Sequence, residues 1–212
     1  MFITKTIRTL ALSTFAALSL ATSACGSPGT EAPAPATTAS QTRLDITGKF
    51  ASACVKAGGS PTKLTFDIGA SEWKLDYVTY GDEACTTPFA TVHIEGPYEL
   101  SGPSPTVNGA TLGRFAFSKK TVKAHMAAAS GFLASDKGCG AGTFPENAAV
   151  DIGATGCAGL GQRPITQCGQ DFDLVFLEGD TLTFGERPAD NDMCTEAKRP
   201  TAKAGLSFTR VK

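Results

Sequence analysis

From position 64 onward the chain keeps alternating apolar and polar residues in short runs broken by Gly, Pro and Asp. Leu64, Phe66 and Ile68 form one run, and Trp73, Leu75 and Tyr77 the next. Ala90, Val92 and Ile94 follow, with Tyr98 and Leu100 beyond a Gly96-Pro97 break, then Phe115 and Phe117. Phe172, Leu174 and Phe176 alternate with Asp171, Asp173 and Val175. After Glu178-Gly179-Asp180 come Leu182 and Phe184, and finally Leu206 and Phe208. Side chains on a strand point to alternate faces, so a period of two gives each run one face for a core and one for water. Turn residues between the runs make hairpins the natural connection. The pattern predicts about eight to ten antiparallel strands. With 23 Gly and 12 Pro in 212 residues, turns are plentiful enough for that many reversals.

One stretch breaks the pattern. Val122, Met126, Ala129 and Leu133 recur at helical spacing, which predicts one amphipathic helix over 122–135. Thr121 or Ser118 is a candidate cap, and Gly131 weakens the helix. One helix against so large a sheet predicts a barrel with a lid or plug.

The seven cysteines point to an oxidising compartment. With Cys25 set aside, Cys54, Cys85, Cys139, Cys157, Cys168 and Cys194 allow fifteen pairings. Locality favours Cys54–Cys85, Cys139–Cys157 and Cys168–Cys194. No two are spaced as Cys-x-x-Cys, so structural disulfides are expected and no zinc site.

Little in the chain suits catalysis. His93 and His125 are the two histidines. The first alternates with Val92 and Ile94 and should face outward, and the second lies off the helical apolar stripe. No phosphate-loop Lys-Ser/Thr and no Gly-x-Ser-x-Gly occurs. Asp190, Asp192 and Glu196 offer oxygens for calcium. The loop lacks a ligand at Cys194 and a Gly at Thr195, so ion pairs with Arg187, Lys198 and Arg199 are expected instead. No catalytic residue, metal or cofactor is expected, and the chain is read as a non-enzyme. The net charge of -1 argues against nucleic acid.

The N-terminus reads as export. Lys5 and Arg8 precede an apolar stretch from Thr9 to Thr22, which is too short to span a bilayer. The junction Leu20-Ala21-Thr22-Ser23-Ala24-Cys25-Gly26-Ser27 resembles a bacterial lipobox, in which the Cys thiol takes a diacylglycerol and becomes the mature N-terminus. Thr22 departs from the usual Leu. The expectation is a signal peptide over 1–24, lipidation of Cys25, and membrane attachment at the bacterial cell envelope. Gly26 in place of Asp points to the outer membrane where there are two. Loss of Lys5 and Arg8 takes the side-chain charge from -1 to -3. The segment 25–43, including GSPGTEAPAPATTASQT, has no apolar period and reads as a tether spanning on the order of 25 Å. The folded domain is expected over 44–212.

Thirteen Phe stand against three Tyr and one Trp. Barrels of about eight strands either fill with side chains or hold one small ligand. The candidate lining is Phe66, Trp73, Leu75, Tyr77, Phe115, Phe117, Phe172, Leu174, Phe176, Leu182, Phe184 and Phe208, with the helix near the opening. These runs carry no inward Lys or Arg, so an apolar ligand is expected rather than an anion.

Several ordered motifs also resemble the adenomatosis-polyposis-coli-down-regulated family. They are Tyr77-Val78-Thr79-Tyr80-Gly81-Asp82 leading to Cys85-Thr86-Thr87-Pro88, and Gly96-Pro97-Tyr98-Glu99-Leu100 through Gly109-Ala110-Thr111. Leu182-Thr183-Phe184-Gly185 with Lys198-Arg199-Pro200-Thr201 closes the set. Gly48-Lys49-Phe50 with Cys54 is similar to the family's opening Gly-x-Trp and Cys, with Phe for Trp. The resemblance runs from Ile46 to Val211. The family's animal members are membrane-anchored extracellular proteins that restrain Wnt signalling, an activity that does not transfer to bacteria. What the resemblance implies is a disulfide-stapled antiparallel barrel, lipocalin-like in form, that receives a lipid. The joint expectation is an envelope lipoprotein binding a hydrophobic ligand (a lipid or acyl group) or an acylated partner. The alternative is a filled barrel acting as a structural or adhesive module.

Overall fold

The computed structural model describes residues 44–212. Among them eleven strands follow the order β1 (Gly48–Ala51), β2 (Val55–Ala57), β3 (Ser60–Ile68), β4 (Glu72–Tyr80), β5 (Pro88–Pro103), β6 (Thr111–Ala116), β7 (Lys119–Ala124), β8 (Ala149–Asp151), β9 (Gln170–Glu178), β10 (Thr181–Gly185) and β11 (Lys203–Arg210). One helix, α1 (Ala127–Leu133), lies between β7 and β8. The signal peptide, Cys25 and the tether read from the sequence fall outside the described residues.

The named strands pair antiparallel, and eight of them close a ring: β3-β1-β11-β10-β9-β6-β5-β4 and back to β3. The mostly β, antiparallel barrel expected from the alternation is the observed fold. Closure removes the unpaired edges that an open sheet of this size would leave. Hairpins do much of the joining. Gly179 takes φ 59° in the turn between β9 and β10, a left-handed conformation that Gly adopts without steric cost.

The long strand β5 organises the rest. One edge pairs with β4 along Pro88–Pro97. On its other edge, Ala90–Glu95 pairs with β7 while Tyr98–Pro103 pairs with β6. The chain turns between β6 and β7 against Gly96, where a Cβ would lie 2.2 Å from the Ala116 carbonyl oxygen and 2.9 Å from the Ser118 nitrogen. Only Gly fits there. The Ser118 amide and hydroxyl both donate to the Glu95 carbonyl at 2.9 Å and fix the corner. Beyond it β7 carries β8 away from the ring as a flap.

The predicted helix over 122–135 is corrected. Residues 119–124 form strand β7, and the helix is confined to Ala127–Leu133. The β-branched pair Thr121-Val122 meets His93 and Val92 on β5, and Val122 also meets Val150 on β8, so the sheet wins that segment. Ala129 and Leu133 are buried as the stripe requires. They pack in one core with Val122, Ala124, Phe144 and Ile152 beneath the flap.

Ile46, Phe50, Ile68 and Leu182 are buried in the barrel interior. Removing each such side chain from water contributes roughly 1.5–3 kcal/mol. Arg210 stacks its guanidinium 4.4 Å from the centre of the Phe50 ring, and its Nη1 donates to the Thr47 carbonyl at 2.6 Å. A Cβ at Gly48 would sit 2.1 Å from that nitrogen, which gives the Gly48-Lys49-Phe50 motif its physical reason.

Candidate binding cavity

The barrel holds a cavity of about 740 Å³. Inward positions of the alternating strands make its walls: Leu64 and Phe66 of β3, Trp73, Leu75 and Tyr77 of β4, Ile94 of β5, Phe115 of β6, Phe184 of β10, and Leu206 and Phe208 of β11. The rings touch one another. Phe66 lies 4.8 Å from Phe184 and 4.9 Å from Phe208 between ring centres, and Trp73 stands edge-on to Phe115 at 5.4 Å. Trp73 is held in place by its indole N–H, which donates to the Ala116 carbonyl at 3.1 Å. The rest of the interior is filled by Ile46, Phe50, Ile68 and Leu182, which do not line the cavity.

All three local disulfides are present: Cys54–Cys85, Cys139–Cys157 and Cys168–Cys194. Each fastens a segment beside the cavity. Cys157 precedes the lining loop Gly159–Arg163, Cys168 itself lines the wall, and Cys194 follows the lining residues Arg187, Ala189 and Asn191. Cys54 and Cys85 tie the strands flanking Gly58, Ser60 and Thr79, which also line it. Cross-links of this kind restrict the unfolded chain and hold loops that carry little core of their own. Cys168 and Cys194 also approach Asp171, but their sulfurs are bonded to each other and are not thiolate ligands for a metal.

One end of the cavity is charged, against expectation. Strand β9 has the opposite facing from the one predicted. Asp171 and Asp173 line the cavity, while Leu174 and Phe176 pack outside the barrel against Ala110, Val107 and Leu112. Phe172 likewise faces outward, under the Arg199 guanidinium at 5.4 Å. Both faces of β9 are covered, so alternation alone does not say which one is inside. The segment following β5 covers the outer apolar face, and charged partners make the inner one tolerable.

Those partners come from distant parts of the chain. Asp171 Oδ2 accepts from Arg187 Nη2 at 2.5 Å. Asp173 Oδ1 accepts from the amides of Leu174 at 2.7 Å and Gly185 at 2.9 Å. A Cβ at Gly185 would lie 2.7 Å from that oxygen and 2.5 Å from Pro200. Arg199, next to Pro200, donates to the carbonyls of Gly113 and Asp173. The two halves of the C-terminal motif, around Gly185 and around Arg199-Pro200, thus meet at Asp173. Burial pushes the Asp173 carboxyl up to about 6, against the opposing pull of Arg187 and the two amides. Lys120 of β7 completes the cluster. It shares the inward face of Ile94 and is 3% exposed. Burial makes its ammonium easier to deprotonate than usual. The expectation of no inward cation is therefore corrected, and so is that of a purely apolar interior.

Of the predicted lining, Phe66, Trp73, Leu75, Tyr77, Phe115, Phe117, Phe184 and Phe208 meet around the cavity. Leu182 is in the core, and Phe172, Leu174 and Phe176 are on the outside. Helix α1 packs on β7 and β5 and does not line the cavity. His93 lies on the outer sheet face between Asp76, at 2.7 Å, and Glu95, at 3.3 Å. His125 meets the Thr91 hydroxyl at 2.7 Å. In the acidic loop, Lys198 pairs with Asp190 and Asp192, and Arg163 with Asp192. Arg187 turns instead to Asp171 and Asn191.

No curated protein matches the chain. The family model described as adenomatosis polyposis coli down-regulated 1 matches residues 36–159, more than half of the chain. That span includes the opening Gly48-Lys49-Phe50, the Cys85 turn and the Gly96 corner, each of which has a structural reason above. The chain belongs to the adenomatosis polyposis coli down-regulated 1 family.

Proposed function

We propose that the barrel is a binding module for an apolar molecule, a lipid or the acyl group of a partner, held at the cell envelope through a lipid on Cys25. The observation that carries this reading is the cavity of about 740 Å³ walled by aromatic rings from several strands. Its size falls within the roughly 300–1,000 Å³ of small-molecule sites. Each methylene moved from water into such a wall contributes about 0.8 kcal/mol, so a chain of modest length binds usefully without a charged contact. Disulfides at the surrounding loops keep the site open before a ligand arrives, which lowers the ordering cost of binding.

The test is uptake of a neutral apolar fluorophore, 1-aminoanthracene, by the oxidised full chain stripped of co-purified lipid. Saturable uptake is expected in the parent and not in Ala204→Trp, which places a ring in the cavity. Absence of uptake in the parent would favour a purely structural module.

The Lys120, Asp171 and Asp173 cluster favours a second reading, chemistry on the bound molecule with Asp173 as proton carrier. Asp173 Oδ1 already accepts two amides, which suits a wall better than a base. Release of altered product from a bound ester would support the catalytic reading.

A further inference from the structure

Lys120 is a buried cation facing apolar rings. Its Nζ donates one hydrogen bond, to the Arg163 carbonyl at 3.2 Å, and lies 4.0 Å from the centre of the Phe117 ring. It forms no ion pair among the described residues, although an ammonium has three donors. The charges around it are otherwise engaged. Asp171 holds Arg187, Asp173 Oδ1 holds two amides, and Arg163 pairs with Asp192 and donates to the Asp190 carbonyl. Asp171 attracts the ammonium from beyond ion-pair distance, and the donors that Lys120 leaves unused would be satisfied by an anion entering the cavity.

We propose that the ligand is a single-chain amphiphile with a carboxylate head, seated with the carboxylate against Lys120 Nζ and the chain among the aromatic walls. This rests on the reading of the cavity as an apolar binding site and adds the chemistry of the head group. One ammonium matches one negative charge. Asp171 and Asp173 stand in the same wall and oppose added negative charge, more strongly for a dianionic phosphate head than for a single carboxylate. A neutral ester of the same chain lacks the charge-assisted contact. Such contacts contribute about 1.5–3 kcal/mol, which is at least about tenfold in affinity.

The experiment is calorimetric titration of the oxidised, delipidated full chain with laurate and with methyl laurate. The parent should bind laurate at least about tenfold more tightly. In Lys120→Met the ratio of laurate to methyl laurate affinity should fall to about one, and Lys120→Gln should behave alike. Equal binding by the parent overturns the assignment of the head group and leaves the apolar cavity standing. A preference that survives both variants also overturns it. Failure of both ligands to bind removes the cavity reading and this inference with it. The comparison in the parent needs no variant, so it decides the matter even if the substitutions disrupt folding.

Discussion

Asp173→Asn tests the inverted β9 strand and its buried carboxylates in one step. The carboxyl is pushed from the ordinary 3.8 up to about 6 in the folded chain. A raised carboxyl binds its proton more tightly when folded than when unfolded. Its protonated form therefore adds stability that is complete below about pH 4 and is lost as pH rises through about 6. With each pKa unit worth about 1.36 kcal/mol, folding with Asp173 ionised costs about 3 kcal/mol at neutral pH. Asparagine carries no charge and still offers an oxygen to the Leu174 and Gly185 amides. The stability of the variant relative to the parent should improve by about 2.4 kcal/mol between pH 4 and pH 7.5. Urea unfolding of both proteins with disulfides intact, at the two pH values, measures this. Asp45, Asp82, Glu95 and Asp190 are shifted down and titrate in both proteins, so they cancel from the difference. A stability difference that does not change with pH would refute the placement of an ionisable Asp173 in a dry wall.

Phe50→Ala removes a fully buried ring and should cost about 3–5 kcal/mol in denaturant unfolding. Phe176→Ala should lower stability yet leave uptake of an apolar probe unchanged, because Phe176 packs outside the barrel; an equal loss of uptake would restore it to the lining. Gly96→Ala forces a Cβ onto the Ala116 carbonyl and should destabilise the fold, read as a lower thermal midpoint, whereas Gly205→Ala, which meets nothing, should not. Cys25→Ser should move the protein from the membrane to the soluble fraction, and continued membrane association would remove the lipid anchor from the account.

Much of the barrel was legible from period-two alternation, because β3, β4 and β11 each have one face inside and one toward water. The disulfide pairs were legible as well, since each closes a local loop. Strand β9 was not, because Leu174 and Phe176 are buried under the 104–112 segment while Asp171 and Asp173 are buried inside. An acidic residue on an apolar run reads as outward unless its partners are known, and Arg187, Gly185 and Arg199 lie many residues away. The segment from Val122 to Leu133 carried a true helical stripe in its second half only. Its first half answers to neighbours on β5 and β8 that no local pattern records. Lys120 was hidden for the same reason: its inward facing follows from its pairing with Ile94.

Trp73 is the one tryptophan of the chain, and it stands in the cavity wall. The most direct measurement is energy transfer from Trp73 to parinaric acid added to the oxidised, delipidated full chain. The account predicts saturable transfer at one probe per chain, reversed by excess laurate and absent in Ala204→Phe, which fills the cavity and leaves Trp73 the sole indole donor. Transfer that never saturates, or that persists when the cavity is filled, would contradict a ligand inside the barrel.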